Sequence, residues 1–301
     1  MDIEARIKEL KKEKDAVILA HYYVDGRVQE VADYVGDSYY LSKIASETPN
    51  KVIVFCGVLF MAESAKVLSP EKTVLMPDKV ADCPMAHMAK VEDIASIREK
   101  YDDLAVVCYI NSTTEIKANS DVCVTSSNAE KVIKKLPQKN IYFIPDSNLG
   151  RYLSSLIPDK NFILNGGYCH VHNNVIAKDV KDKKAKYPNS KLLAHPECTK
   201  EVLDMADYVG STSGIIEYVA NSQDNSFIIC TEEGVLYKLK KENPDIEFIL
   251  INNKQVCPDM KRVTIDKLVK CLEAMDNQIS VDEEVGAKAF LALEKMLELA
   301  R

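Results

Sequence analysis

The pentapeptide Ala-Asp-Tyr-Val-Gly occurs at residues 32–36 and again at 206–210, so the two copies lie 174 residues apart (206 − 32). The tripeptide Leu-Ala-His ends at His21 and again at His195, which is the same separation (195 − 21 = 174). Cys83 and Cys257 also lie 174 residues apart (257 − 83). Several unrelated residue types that share one offset indicate that a segment of this chain is repeated.

A third, more divergent copy lies midway between the other two. Asp121 follows Asp33 by 88 residues and precedes Asp207 by 86. Cys169 follows Cys83 by 86 residues and precedes Cys257 by 88. The sequence therefore predicts three copies of one unit of about 87 residues, each ending in a cysteine.

Each copy alternates amphipathic helices with short, continuously apolar strands such as Ala16–Ala20 and Ser226–Cys230. This alternation is typical of parallel βαβ units with helices on both faces of the sheet. We expect an α/β fold of three homologous α/β/α domains that share a core around a pseudo-threefold axis. The predicted domains are residues 1–86 with 262–301, residues 87–172 and residues 173–261. The last two helices, predicted at Thr264–Met275 and Glu284–Ala300, are expected to fold back on the first domain.

Composition and charge narrow the classes of function. The chain has 47% hydrophobic and 28% charged residues and a formal net charge of −7, which is ordinary for a globular protein and argues against a nucleic-acid partner. No uninterrupted apolar run approaches the roughly 20 residues that span a membrane. Residues 1–15 have no apolar core of a signal peptide, so a cytoplasmic location is expected.

Three of the nine cysteines stand out because they occupy equivalent places in the repeats. Around a pseudo-threefold axis, the loops that carry Cys83, Cys169 and Cys257 would converge at the centre. A structural zinc ion would need a fourth protein ligand, whereas three cysteines can hold a [4Fe–4S] cluster and leave one iron open as a Lewis acid. Of the other six cysteines, Cys56, Cys108, Cys230 and Cys271 lie within apolar strand or helix patterns. All six are interpreted as small buried hydrophobes.

Polar side chains follow the first predicted strand of each repeat, where ligands bind in parallel sheets. His21 and His195 are equivalent, and with His172 they are candidate donors to substrate oxygens. Glu197 is the best candidate for a general acid or base, and the phenols of Tyr23 and Tyr109 are further candidates.

A second polar set follows the next strand of each repeat and begins or precedes a helix. Hydroxyl groups beside free helix N–H groups can bind carboxylate or phosphate without lysine or arginine. For any single residue, simple capping of the helix explains the pattern equally well. The candidates in this set are Ser38, Ser126, Ser211 and Thr212.

At this point the motifs resemble the quinolinate synthase (NadA) family over nearly the whole chain. The segments that carry the resemblance are residues 19–23 (Leu-Ala-His-Tyr-Tyr), 31–38, 57–63, 83–86, 109–113, 125–128, 145–150, 169–172, 195–198 and 256–261.

The resemblance implies three α/β domains around a [4Fe–4S] cluster that is held by Cys83, Cys169 and Cys257. It implies condensation of iminoaspartate with dihydroxyacetone phosphate to quinolinate in NAD biosynthesis, with functional coupling to an enzyme that produces iminoaspartate. By position, Tyr23 and Glu197 match acid–base groups. The matched substrate-binding residues are His21, Ser38, Tyr109, Asn111, Ser126, His195, Ser211 and Thr212.

The chain departs from the family pattern in two places. Some members have a cysteine three residues before the third ligand, where this chain has Lys254, so redox switching through that pair is not expected. Many members have asparagine where this chain has Tyr22.

Three alternatives stay open on the sequence. Diphthamide-forming and isoprenoid-reductase enzymes also combine three α/β repeats with three cysteines, but the polar motifs do not suit them. The others are a non-enzymatic iron–sulfur sensor and a plain three-domain binding protein with free thiols.

Overall fold

The computed structural model describes residues 3–301, so Met1 and Asp2 of the predicted first domain lie outside the described residues. Within this range the chain forms three sheets of four strands each, and every paired strand is parallel to its neighbour. Helices connect the strands, which confirms the predicted α/β fold class.

The elements follow the same order in each repeat. The first repeat contains α1 (Ile3–Lys14), β1 (Ala16–His21), α2 (Gly26–Val31), β2 (Tyr34–Gly36), α3 (Ser38–Glu47), β3 (Val52–Cys56), α4 (Leu59–Leu68), β4 (Thr73–Leu75) and a 3-10 turn (Pro84–His87). The second contains α5 (Val91–Arg98), β5 (Leu104–Tyr109), α6 (Thr114–Ala118), β6 (Val122–Val124), α7 (Ala129–Lys135), β7 (Asn140–Ile144), α8 (Ser147–Leu156), β8 (Asn161–Leu164) and α9 (His170–Asn173). The third contains α10 (Ala177–Lys186), β9 (Lys191–Ala194), α11 (Lys200–Leu203), β10 (Tyr208–Val209), α12 (Thr212–Asn221), β11 (Ser226–Cys230), α13 (Val235–Glu242), β12 (Glu247–Leu250) and a 3-10 turn (Met260–Arg262), and α14 (Ile265–Ala274) and α15 (Glu283–Leu299) follow.

The strand orders of the three sheets correspond to one another. They are β2-β1-β3-β4, β6-β5-β7-β8 and β10-β9-β11-β12. The central strands β1, β3 and β5 are buried along their whole length, because helices cover both faces of the sheet. The first and third strands of each repeat thus lie side by side at the centre of the sheet, and their carboxyl ends share one edge.

The repeated aspartates explain why the sequence repeat is visible. The carboxylates of Asp33, Asp121 and Asp207 accept hydrogen bonds of 2.7–2.8 Å from backbone N–H groups of the neighbouring first strand. Each carboxylate also pairs with a basic side chain near the end of the helix that precedes the first strand of its repeat. These side chains are Lys11 of α1, Arg98 of α5 and Lys184 of α10. The carboxylate joins the helix before the first strand, the first strand itself and the edge strand that follows the aspartate. This position therefore requires an aspartate in every repeat. The repeated Asp-x-Val element is therefore structural.

The hydrophobic core differs from the expectation of one core shared by three domains. Buried residues of the first two repeats and of α14 and α15 form one continuous cluster. The third sheet has a separate cluster on each of its faces. The third repeat is thus packed largely on its own helices.

The two terminal helices pack on different parts of the chain. Helix α14 packs on α1 and α2 of the first repeat, whereas α15 contacts α6, β6 and α7 of the second repeat as well as α4 of the first. The apolar face of α15, which includes Ala289, Leu293 and Met296, is buried between these repeats. The assignment of both terminal helices to the first domain, the domain boundaries and the threefold axis stay predictions.

Candidate active site

The carboxyl ends of strands from all three sheets line one cavity of about 70 Å³. Parallel sheets bind ligands at this edge, which is why residues after the strands are the predicted site residues. Those that line the cavity are His21, Tyr23, Ser38, Cys83, Tyr109, Asn111, Ser126, Cys169, His172, His195, Glu197, Thr212 and Cys257.

Ser211 is the exception among the predicted site residues. Its Oγ accepts a hydrogen bond of 3.1 Å from the backbone N–H of Gly214 and so caps α12. It lies outside the lining of this cavity. A contact between Ser211 and substrate stays a prediction.

His21 and His195 have equivalent surroundings, as their positions in the repeat predict. The Nδ1 atom of each accepts a backbone N–H from two residues further on, Tyr23 at 3.2 Å and Glu197 at 3.3 Å. The neutral ring therefore carries its proton on Nε2, which donates to Ser126 Oγ at 3.2 Å in the case of His195. Burial lowers the pKa of both imidazoles to about 3. Both histidines are neutral hydrogen-bond donors near pH 7.

Glu197 is fully surrounded by donors. Its Oε1 accepts from the Tyr109 hydroxyl, and its Oε2 accepts from His172 Nδ1 at 2.7 Å. Burial alone would raise the pKa of Glu197, but its electrostatic interactions with the His172 and His195 side chains and the hydrogen bonds from His172 and Tyr109 outweigh burial and hold the pKa well below its usual value. Glu197 is thus an ionised carboxylate in a buried site.

The hydroxyl of Tyr23 lies at the other end of the same network. It is 2.7 Å from Thr212 Oγ1 and 2.8 Å from Thr231 Oγ1, and Thr231 Oγ1 is 2.9 Å from His172 Nε2. Burial raises the pKa of Tyr23 well above its ordinary value, so the phenol keeps its proton. A continuous chain of hydrogen bonds joins Tyr23 to Glu197 through Thr231 and His172.

The three repeat-equivalent cysteines meet at the same cavity. Each begins a tight turn: Cys83 precedes the turn Pro84–His87, Cys169 precedes α9, and Cys257 lies just before the turn Met260–Arg262. They are partly exposed, whereas the other six cysteines are buried. This contrast agrees with the interpretation of those six as small hydrophobes.

The donor set fits an iron–sulfur cluster. Burial raises the pKa of all three thiols, to about 11 for Cys257, while backbone N–H groups directed at each sulfur oppose this effect. Those N–H groups belong to Met85 and Ala86, to His172, and to Asp259 and Met260. Backbone N–H groups at the sulfurs and an apolar lining are what cluster thiolates require.

A single metal ion is a second arrangement that the geometry offers. Ligand atoms of Cys169, His172 and Glu197 lie within 4.8 Å of one another. Both nitrogens of His172 and both carboxylate oxygens of Glu197 are already engaged in hydrogen bonds, however. The cysteines are therefore the better candidates for metal ligands.

The two departures from the family pattern lie outside the cavity lining. Tyr22 is buried, and burial raises the pKa of its phenol to about 12. It interacts with Ser213, whose hydroxyl donates to Asp37 at 2.7 Å. Lys254 is exposed.

The residues that follow the third strand of each repeat were not predicted from the sequence. Thr231 and Glu232 follow β11, and Asp146 follows β7. The corresponding residue after β3 is Val58, so the offset brings no identical residues together there. The signal that could have found them was position alone, because the third strand ends at the same edge as the first. Asp37, Thr125, His170 and Glu232 also line the cavity.

The comparisons with known proteins agree with this geometry. Within residues 3–301, none of the helices is both long and apolar enough for a membrane span. Residues 5–298 match the family model described as "NadA: Quinolinate synthetase A protein". The chain is 55% identical over 295 residues to the quinolinate synthase of Fusobacterium nucleatum, covering 98% of each chain. It is 52% identical over 299 residues to that of Clostridioides difficile, covering 99% of this chain and 98% of the relative. With this similarity and a cavity that gathers the motif residues, the chain belongs to the quinolinate synthetase A (NadA) family.

Proposed function

We propose that this member of the family condenses iminoaspartate with dihydroxyacetone phosphate to form quinolinate. The reaction balances when one phosphate and two water molecules leave. The observation that carries the proposal is that Tyr23 and Glu197, the matched acid–base groups, line the same cavity as the three equivalent cysteines.

Cys83, Cys169 and Cys257 would hold the [4Fe–4S] cluster in this proposal. Three cysteine ligands leave one iron open, which supplies Lewis-acid chemistry toward a nitrogen, carboxylate or hydroxyl of the reactants. The apolar side chains of Met85, Val171 and Met260 line the cavity beside the cysteines and limit the access of water.

The polar part of the cavity suits carboxylates and a phosphate. Helices α3 and α12 begin at Ser38 and Thr212, and their free N–H groups favour anions. Ser126 adds a hydroxyl, and Nε2–H of His21 adds a neutral donor. These groups hold anionic substrates without a lysine or arginine in the cavity lining.

Asn111 offers a hydrogen-bond acceptor, which complements the donors of the cavity. Its Oδ1 atom is buried and has no hydrogen-bond partner among residues 3–301. A buried carbonyl oxygen of this kind costs roughly 1–3 kcal/mol unless a donor reaches it. An amine or hydroxyl group of the substrate is the donor that we assign to it.

Proton transfer is the task of the network between Tyr23 and Glu197. The ionised Glu197 accepts a proton during isomerisation or cyclisation, and the neutral phenol of Tyr23 donates one to a leaving hydroxyl. Thr231 and His172 connect the two groups, so a proton taken up at one end can be returned to the other. Tyr109 holds the Oε1 atom of Glu197 in position.

The chemistry of the nitrogen substrate implies a partner reaction. Iminoaspartate is an imine that water hydrolyses, so we propose functional coupling to an enzyme that oxidises aspartate to iminoaspartate. The net charge of −7 suits no nucleic-acid partner, and we place the reaction in the cytoplasm.

The direct test is turnover by anaerobically purified, iron-loaded protein with both substrates. We expect quinolinate and phosphate to appear in equal amounts. Iron-loaded protein that releases neither product would contradict the proposed reaction.

A further inference from the structure

The amide of each candidate cluster ligand donates to a carboxylate. The N–H of Cys169 donates to Asp146 Oδ2 at 3.2 Å, and the N–H of Cys257 donates to Glu232 Oε1 at 3.0 Å. Asp146 and Glu232 are fully buried. Both follow the third strand of their repeats, 86 residues apart (232 − 146). The same kind of contact therefore recurs at equivalent places in two repeats.

The second carboxylate oxygen fixes each of these residues to its own sheet. Asp146 Oδ1 accepts the N–H of Leu149 at 2.8 Å and caps α8. Glu232 Oε2 accepts the N–H of Gly234 at 2.6 Å. Each carboxylate thus ties a cysteine loop to the rigid end of a buried strand.

The first repeat, as described from Ile3 onward, has no buried carboxylate at the equivalent position. Val58 occupies the equivalent position (146 − 88 = 58), and the N–H of Cys83 donates to its neighbour Asp82 at 2.7 Å. The Asp82 side chain is 35% exposed and pairs with an exposed His87. Water can replace this local contact, whereas it cannot reach Asp146 or Glu232.

Glu232 has one further contact that reaches the acid–base network. Lys261 Nζ lies 3.0 Å from Glu232 Oε1 and donates to the backbone carbonyl of Tyr23 at 2.8 Å. The loop of Cys257 and the loop of Tyr23 are therefore held by the same pair of side chains, Glu232 and Lys261.

We propose that Asp146 and Glu232 are positioning residues for the cluster, which orient the loops of Cys169 and Cys257. The inference rests on the proposed cluster.

The test compares Asp146→Asn and Glu232→Gln with the parent protein after anaerobic reconstitution with iron and sulfide. In each variant the amide oxygen can replace only one of the two carboxylate oxygens, so one of the two N–H groups loses its acceptor. We expect both variants to bind cluster iron roughly 10–100-fold more weakly, as for other partners of metal ligands, and to lose iron faster to a chelator. In the fraction that retains the cluster, the midpoint potential should differ from that of the parent, because the orientation of the cysteine loops sets the hydrogen bonds at the sulfurs.

Two controls separate positioning from general stability. Asp121→Asn removes a carboxylate that accepts a strand N–H away from the cavity, and it should leave iron content and midpoint potential unchanged. Asp82→Asn should weaken iron retention less than either buried variant. Circular dichroism of each variant shows whether it has folded.

The outcomes distinguish the two proposals. A folded parent that binds no cluster would overturn the proposed cofactor. A parent that binds the cluster, with Asp146→Asn and Glu232→Gln equal to it in iron retention and midpoint potential, would overturn this inference alone. A shift of the same size in Asp121→Asn would also overturn it.

Discussion

Tyr23 and Glu197 lie 174 residues apart in the sequence (197 − 23), and hydrogen bonds through Thr231 and His172 join the phenol of one to the carboxylate of the other. The successive distances are 2.8, 2.9 and 2.7 Å. The two residues are equivalent members of the first and third repeats, so the repeated fold places an acid and a base at opposite ends of one network.

Replacing Glu197 by Gln should remove the base and preserve the fold. General acid–base groups contribute roughly 10²–10⁴-fold to rate, so turnover should fall by that factor while the iron content is unchanged. Steady-state assays on iron-matched samples measure this, with the exposed Glu130→Gln as control. Near-normal turnover would make Glu197 a structural residue.

Thr231→Val should interrupt the network at its centre. The variant keeps the shape of the side chain but leaves His172 Nε2 without its hydroxyl partner, while Tyr23 still contacts Thr212. We expect kcat to fall by roughly tenfold or more, yet by less than the 10²–10⁴-fold of an acid–base group itself. KM should change little.

The matched control for that variant is Thr231→Ser, which restores the hydroxyl. It should recover most of the lost kcat. If valine and serine at position 231 give the same rate, protons do not pass through this residue.

The buried histidines predict how stability depends on pH. The pKa of His21 and of His195 is lowered to about 3, whereas an unfolded histidine titrates near 6.5. Between these values the unfolded chain binds protons that the folded chain does not, so the free energy of unfolding falls as the pH drops and is regained above about 6.5. Each histidine contributes up to about 1.4 kcal/mol per pH unit.

His21→Asn isolates one of these contributions, because the asparagine oxygen can replace Nδ1 as an acceptor. Anaerobic denaturant unfolding should show a pH dependence shallower than that of the parent by about 1 kcal/mol per unit below pH 6. Above about pH 7 the two curves should run parallel. Equal slopes at acidic pH would mean that His21 is protonated in the folded protein.

The cysteines provide a prediction by comparison. Cys83→Ser, Cys169→Ser and Cys257→Ser should each lose the brown chromophore, because two thiolates do not hold the cluster. Cys56→Ser, Cys230→Ser and Cys271→Ser should keep it, because these side chains are buried in the core. Visible absorption and iron analysis decide the matter. Loss of the cluster in Cys271→Ser together with its retention in Cys169→Ser would reverse the ligand assignment.

Much of the fold could be predicted from the sequence because one offset ties distant residues together. The bounds of β11 match the predicted strand Ser226–Cys230 residue for residue, and β1 extends the predicted strand Ala16–Ala20 by one residue. The strands are continuous apolar runs, and such runs have sharp polar ends. The packing of α15 could not be predicted, because an apolar helix face shows that it is buried but not against which repeat.

The candidate site, like the fold, could be predicted from the sequence only in part. Residues after the first strands were found, since His21 and His195 are identical in two repeats. Thr231, Glu232 and Asp146 were missed, because their repeat mates differ in type. Ser211 has the expected position before α12, but its hydroxyl caps that helix. The position of a residue in a repeat predicts where its side chain lies, but not which group its terminal atom will contact.

The most direct test of the account is the Mössbauer spectrum of the iron-loaded protein with and without quinolinate. Quinolinate has a ring nitrogen beside a carboxylate, a pair of donors suited to an open iron. The account predicts that one iron site changes its spectrum on binding, and that Tyr23→Phe retains the change because the iron makes the main contact. A spectrum that saturating quinolinate leaves unchanged, in protein shown separately to bind it, would contradict the central claim that the cavity chemistry takes place at the cluster.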